Sequence, residues 1–519
     1  MKHSAAGVQD SKNVVVMRQI VKQFPGVLAN DHIDFSLREG EIHALIGENG
    51  AGKSTLMHIL AGIIQPDQGD IHIFGKRTRF RSASEAIGAG IGIVHQHFML
   101  VESLTVLDNL ILGMEPVGAL GILKRNQARE HIQAACAEYG FSLEPDAIVG
   151  TLPVAVQQQV EIVKCLLREA RIMIFDEPTS VLTPQESEAL FAAIRGLAAK
   201  GRTIVIISHK LDEVKALADR ITVLRDGRVT GIVDADEADE SMLAQMMVGR
   251  EIHLPSREVR LEATEKEVVV SVEGLFLKRK PKEIGGLDVG PIDFRIRAGE
   301  ILGIAAISGN GQEELVQAIA GLRKADAGQI TLKNKELTPL GPRERRELGL
   351  AYIPQDRRGR GTAPSLSVLR NVIAGHYRTP KLNRRGWLHM GEARNLAEEI
   401  IGEFGVVVPS IDSSALTLSG GNLQKLVVGR EFSTAPVFLI AEDPTQGVDI
   451  GAVEFIRQQL LGWAQRGCAI LLVSQDLSEV LALSDRVLVL YEGQVTGERR
   501  PDLTSEEEIG LLMIGGIGR

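Results

Sequence analysis

A chain of 519 residues is long enough, at about 150 residues per domain, for two to four domains with an ordinary core in each. With 44% hydrophobic and 24% charged residues, 54 Gly and 19 Pro, its composition is that of average globular proteins and excludes the collagen-like, disordered and mini-protein classes. The 58 Lys and Arg against 67 Asp and Glu leave a net charge of −9, the wrong sign for a protein that grips nucleic acid mainly through phosphates.

Cys136, Cys165 and Cys468 lie too far apart for a metal knuckle or a redox CxxC pair, and their odd, sparse number suits a reducing compartment. The opening MKHSAAGVQDSKN has no apolar core, so a signal peptide is not expected. No apolar run approaches 18 residues, so no bilayer span is expected and any membrane role must come through a partner.

Along the chain, IHALI at 42 to 46 lacks polar alternation and reads as a buried parallel strand. It runs into Gly47-Glu48-Asn49-Gly50-Ala51-Gly52-Lys53-Ser54, which fits G-x-x-x-x-G-K-[ST], and then into a predicted helix from Thr55 to Leu60. Such a pattern arises by chance in roughly 2 of 100 chains of this length, and strand and helix flanks make a mere glycine turn a poorer reading still. Glycines let backbone N–H groups turn inward around phosphate oxygens, and the helix N-terminus favours negative charge. Lys53 would pair with β- and γ-phosphate charge, and Ser54 would offer its hydroxyl to Mg²⁺. The candidate nucleotide-binding residues here are Gly47, Asn49, Gly50, Gly52, Lys53, Ser54 and Thr55. His95 and His97 have ligand-like spacing, but are read as structural.

RIMIF at 171 to 175 is a second apolar strand, ending in Asp176-Glu177. In a P-loop fold two carboxylates there divide the work: Asp176 holds Mg²⁺ through water and Glu177 polarises the attacking water. TIVIIS at 203 to 208 is a third strand, and REIHLPSREVRLEATEKE, from 250 to 267, is charged and without apolar periodicity. That stretch is the predicted seam, with domains at 1–255 and 256–519.

Beyond it the chain repeats itself. GEIHALIGENGAGKSTLMHILAG at 40 to 62 returns as GEILGIAAISGNGQEELVQAIAG at 299 to 321, and the same offset of 259 carries Gln96 onto Gln355. An offset of 266 carries Leu152 onto Leu418, FDEPTSVLT onto AEDPTQGVD, and Ser208 onto Ser474. Four blocks in one order mean two fused copies of one domain. ILGIAAI, PVFLIA and AILLVS supply the second set of buried strands, so each copy is an α/β fold with its ligand site at the carboxyl ends of parallel strands.

These residues carry a family resemblance. GENGAGKST, Gln96, FDEP and the IISH that ends in His209 resemble the Walker A, Q-loop, Walker B and switch elements of ATP-binding cassette (ABC) ATPases, and LSGGN at 418 to 422 resembles their signature sequence. The resemblance covers essentially the whole chain, twice. It implies two cassettes, each with a mostly parallel core sheet, an antiparallel β subdomain and a helical subdomain. It further implies a sandwich in which each ATP lies between the P-loop of one cassette and the signature loop of the other. It gives Gln96 a place on Mg²⁺ or the attacking water, His209 a contact to the γ-phosphate, and Ser419, Gly420 and Gly421 contacts to the ATP held by Lys53. Phe24, eleven residues before Phe35, becomes a candidate to stack on adenine, against a plain core role. Arg357, Arg358 and Arg360 are read as a solvated loop near a permease rather than as a phosphate or RNA contact.

The copies are unequal. Gln312 and Glu313 replace Lys53 and Ser54, so the second cradle loses a cation and gains a carboxylate. A charged hydrogen bond is worth about 1.5 to 3 kcal/mol, so losing the lysine alone should weaken phosphate binding by about 10- to 150-fold. Asp176 and Glu177 become Glu442 and Asp443, and His209 becomes Gln475. The signatures differ in the opposite sense: Leu152-Pro153-Val154-Ala155-Val156 has neither the hydroxyl nor the glycines of Leu418-Ser419-Gly420-Gly421-Asn422.

Within the superfamily the fused pair resembles ATP-binding subunits of bacterial importers for ribose-type sugars and nucleosides. HQHFML at 95 to 100, AYIPQDRRGRG at 351 to 361 and RRGWL at 384 to 388 most resemble the nucleoside branch. The resemblance implies ATP and Mg²⁺ as cofactors and two transmembrane permease subunits as partners. Through them it implies an extracytoplasmic solute-binding protein, with this chain at the cytoplasmic face of the cell membrane, without nucleic acid or direct insertion. Two other classes compete. A tandem cassette protein acting on ribosomes or DNA usually resembles two intact cassettes with a long basic linker, unlike this short mixed one. A regulatory nucleotide binder without turnover is opposed by Glu177 and His209.

Overall fold

The architecture is that of a computed structural model, which describes residues 13–25, 27–95, 98–118, 123–179, 182, 184–208, 210–250, 254–257, 266–279, 287–307 and 309–515. They fall into two units, 1–252 and 253–519.

In the first unit β1 (Asn13–Phe24) and β2 (Val27–Arg38) form an antiparallel pair whose alternating Val15, Met17, Ile33 and Phe35 are buried. β3 (Ile42–Gly47) is buried at every residue, as a strand covered on both faces must be. β4 (Gln68–Ile73) and β5 (Lys76–Thr78) extend the first pair into a sheet ordered β2-β1-β4-β5. The remaining strands are β6 (Ile91–Val94), β7 (Ile172–Asp176), β8 (Thr203–Ser208), β9 (Arg220–Arg225) and β10 (Arg228–Asp234). They join β3 in a six-stranded sheet ordered β10-β9-β3-β8-β7-β6, parallel throughout except for the β9–β10 hairpin. The helices Val106–Ile111, Arg125–Tyr139 and Val154–Leu167 pack on one another through Leu107, Leu110, Ile132, Val160 and Val163. This is the α/β fold expected, with an antiparallel β layer and a helical subdomain beside the core sheet.

The second unit repeats the plan. β11 (Val268–Leu277), β12 (Val289–Arg297), β13 (Ile301–Ala305), β14 (Ala327–Leu332) and β15 (Lys335–Glu336) come first, then β16 (Leu350–Ile353) and the short hairpin β17 (Asn383–Arg384) and β18 (Trp387–Leu388). β19 (Phe438–Glu442), β20 (Ala469–Val473), β21 (Arg486–Tyr491) and β22 (Gln494–Arg499) complete it. The sheets are ordered β12-β11-β14-β15 and β16-β19-β20-β13-β21-β22, the second matching β6-β7-β8-β3-β9-β10 strand for strand. Among the described residues no helix is long and apolar enough to cross a membrane.

Candidate nucleotide site

In the first unit β8 lies between β3 and β7, so three carboxyl ends open side by side: the loop after β3, the step after Ser208, and Asp176-Glu177. This is where an open parallel sheet binds its ligand. The loop can close there only because position 52 is glycine. Gly52 has φ 97°, and a Cβ on it would lie 2.1 Å from the Ala29 carbonyl oxygen. The buried Asn30 amide then donates to the Gly52 carbonyl at 3.1 Å, pinning the loop to β2.

The left-handed Gly52 is the N-cap, so the helix runs Lys53–Leu60, two residues earlier than the sequence pattern suggested. Its N-cap bears no side-chain hydrogen bond and its first turn has no acidic residue, which leaves the helix N-terminus suited to an anion. Lys53 is 5% exposed and donates to the carbonyls of Gly47 at 2.7 Å and Glu48 at 2.9 Å. Burial lowers its pKa, while Glu177, Asp176 and Glu48 work to keep it charged. The Ser54 side chain lies close enough to Asp176 to favour its charged form. Burial, with Glu177 beside it, pushes the Asp176 carboxyl above its ordinary range, so the pair favours a bound cation. A hydroxyl and a carboxylate so placed fit a hard cation of the Mg²⁺ kind.

Glu177 has φ 47°, a conformation costly for a side-chain-bearing residue, and is held in it by its N–H donating to the Ile207 carbonyl at 2.9 Å. Asp443 repeats this with φ 42° and a 2.7 Å bond to Val473. Both units therefore keep the strained step after the acidic strand, although the carboxylates were exchanged.

Asn49 and Thr55 are half-buried and Gly50 exposed at the same mouth. Gln96, His97 and His209 lie outside the described residues. Phe24 is 40% exposed at the end of β1, with the Lys22 ammonium 5.5 Å from its ring centre, so the plain core role does not hold. His95 is half-buried with its ring 6.2 Å from that of His58. Among the described residues no group of three or more His, Cys, Asp or Glu is arranged to hold a metal.

Ser419 caps the helix Gly420–Phe432, accepting from the Asn422 N–H at 3.3 Å. In the first unit Pro153 occupies that cap without a side-chain bond, and Val154 and Ala155 replace the two glycines. In the second loop Gly311 keeps φ 97°, and Gln312 donates to the Ile307 carbonyl at 3.2 Å, the position equivalent to Glu48. The loop conformation thus survives without its charge, and Glu313 and Glu314 now stand in the first helical turn. The arginine loop is not simply solvated, as the sequence had suggested. Arg357 donates to the carbonyls of Gln446 and Gly447, the latter at 3.1 Å, and Arg360 pairs with Glu313 at 2.8 Å. Carboxylates and carbonyls distant in sequence attract these guanidiniums, and no local pattern announces them.

Sequence reading missed a second set of residues. Gln158, 2% exposed, donates to the Pro178 carbonyl at 2.8 Å, and Gln424, 1% exposed, to that of Pro444 at 2.7 Å. Thr179 donates to Glu213 at 2.6 Å and Thr445 to Glu479 at 2.7 Å. Each copy so ties its signature helix and the helix after the switch strand to the turn that carries its acidic step. The signal was available: all these positions are identical under the 266 offset.

A family model described as ABC transporter matches residues 30–180 and again 289–446. The nucleoside import ATP-binding protein NupA of Lactococcus lactis is 42% identical, with 98% of this chain and 99% of that protein covered. The glucose import ATP-binding protein TsgD13 of Haloferax volcanii is also 42% identical, over 96% of this chain and 95% of that one. A crystal structure of the archaeal ribosome recycling factor aABCE1 with the ribosomal stalk protein aP1 aligns with TM-score 0.60 at 20% identity, covering 92% of this chain and 88% of that one, a likeness of fold alone. The chain belongs to the ABC transporter ATP-binding family and carries its cassette twice.

Proposed function

We propose that this chain is the ATP-hydrolysing motor subunit of an importer, acting with two transmembrane permease subunits on a nucleoside or a related simple sugar. The observation that carries the reading is the convergence of Lys53, the Ser54–Asp176 pair and the strained Glu177 at the carboxyl ends of β3 and β7. Lys53 and the open N–H groups of its helix bind the β- and γ-phosphates. Ser54 and Asp176 would hold Mg²⁺, which when bound neutralises phosphate charge. Glu177 accepts a proton from water as its oxygen attacks the γ-phosphorus, and the bond to the ADP oxygen breaks, giving ADP and phosphate. Gln96 and His209 complete the water and γ-phosphate contacts in this reading, Phe24 stacks on adenine, and Ser419, Gly420 and Gly421 contact nucleotide.

The substrate class is supported by the nucleoside and glucose import ATP-binding proteins that are 42% identical to this chain over the aligned residues. Work on ribosomes has less behind it, since the aABCE1 likeness stands at 20% identity. The test is reconstitution with candidate permeases and a candidate solute-binding protein: solute-stimulated ATPase and uptake of labelled nucleoside against labelled ribose and glucose. ATPase activity stimulated by ribosomes and indifferent to solute would reject the importer reading.

A further inference from the structure

The second unit differs from the first by more than lost residues. From the end of β6 at Val94 to Val101 the chain takes seven steps, and from the end of β16 at Ile353 to Ala363 it takes ten. Val101 and Ala363 are equivalent, because each is clamped by the same asparagine: Asn109 accepts from Val101 N–H at 2.7 Å and Asn371 from Ala363 N–H at 2.8 Å. Three residues are therefore inserted in a stretch that includes Arg357, Arg358 and Arg360.

The insertion delivers a cation to a defined place. Glu313 stands where Ser54 stands, and Glu442 where Asp176 stands, so these are the two positions that fit a metal in the first unit. Arg360 pairs with Glu313 at 2.8 Å and lies beside the Tyr352 hydroxyl, and that hydroxyl donates to Glu442. The residue equivalent to Tyr352 in the first unit is Ile93, which cannot relay such a bond. One oxygen of each carboxylate, Oε1 of Glu313 and Oε2 of Glu442, is taken. Glu313 also accepts from Gln317 at 2.8 Å, and Glu442 from the Gln355 N–H at 3.4 Å. Mg²⁺, which demands near-octahedral oxygen ligands, would be left one oxygen of each carboxylate and would sit beside a guanidinium.

We propose that Arg360 is the resident cation of the second unit, taking the place a divalent metal takes in the first, so that the second loop binds no Mg²⁺. One exposed ion pair contributes little, but here one guanidinium stands between Glu313 and the phenol that donates to Glu442, and removing it takes that positive charge from beside both carboxylates. The proposal rests on the reading of Ser54 and Asp176 as the metal-holding pair.

The test counts ions with Mn²⁺ as the probe, by electron paramagnetic resonance, on the full chain with a non-hydrolysable ATP analogue. Wild type should bind one Mn²⁺ per chain and Asp176→Asn should lose it, leaving none in the second unit. Arg360→Met should gain a second Mn²⁺, and should do so in the Asp176→Asn background as well; Arg360→Gln serves if the methionine variant fails to fold, and Arg360→Lys, which keeps the charge, should gain none. Two ions in wild type, one retained by Asp176→Asn, or no gain on losing Arg360 would overturn the proposal. A wild-type chain binding no Mn²⁺ would instead reject the reading of the first unit, while the gain in the Arg360 variants would still decide this one.

Discussion

The two units hold the same backbone device and different chemistry. In both, a glycine at φ 97° closes the loop after a buried strand, and in both the residue after the acidic strand sits near φ 45° with its N–H bonded to the neighbouring strand. Yet the first loop presents Lys53 and Ser54, and the second Gln312 and Glu313. The signature helices are unequal in reverse, with Ser419 capping one and Pro153 the other. Retaining a strained turn after its carboxylate has changed indicates that the turn belongs to the fold, which the strand register and the Thr–Glu and Gln–Pro ties support in both copies. On the proposed reading, catalysis belongs to the few side chains that the turn displays.

That contrast can be broken most directly at the carboxylates. Glu177→Gln keeps the shape but cannot accept a proton, and should lower steady-state ATPase by about 10² to 10⁴-fold, whereas Asp443→Asn should leave most of the rate. Comparable losses would mean that both units turn over. The signature helices should show the next largest difference. Ser419→Arg puts a bulky cation where a small hydroxyl caps the helix and should stop hydrolysis and uptake at matched expression. Val154→Arg, on a helix already without that cap and at a residue 41% exposed, should leave most of both. Equal damage from the two would end the assignment of the working signature to residues 419–421.

A smaller effect is expected at the loop lysine. Lys53→Met should weaken ATP binding by about 10- to 150-fold, measured by titration with a fluorescent nucleotide, while Gln312→Met should change it little. The smallest concerns pH and only the second unit. Burial raises the Asp443 carboxyl to about 6. The folded state therefore keeps a proton that the unfolded chain releases near pH 4, so the contribution to stability is full below about pH 4 and is lost as pH rises through about 6, a loss of at most about 3 kcal/mol. Asp443→Asn cannot ionise and should be the more stable form at pH 8, with the advantage gone at pH 4. Both tryptophans, Trp387 and Trp463, belong to the second unit, so their fluorescence in urea reports on it alone. Parallel pH dependence in the variant and wild type would contradict the buried carboxyl as its source.

The repeat, the α/β class, the glycine-rich loop, the acidic step and the inequality of the two copies were all legible in the sequence. All of these rest on short contiguous motifs, in which neighbours a few residues apart create the conformation and supply the chemistry. The start of the helix at Lys53 was nearly legible, and was missed by two residues because Gly52 caps it through a left-handed φ rather than through a side chain. Tertiary structure alone decided what the arginine loop does. Arg360 meets Glu313 across 47 positions of chain and Tyr352 meets Glu442 across 90, pairings produced by β16, β19 and the loop after β13 belonging to one unit. Local propensity carries no record of such closures, because an ion pair forms wherever the folded backbone brings opposite charges within reach, whatever their separation in sequence.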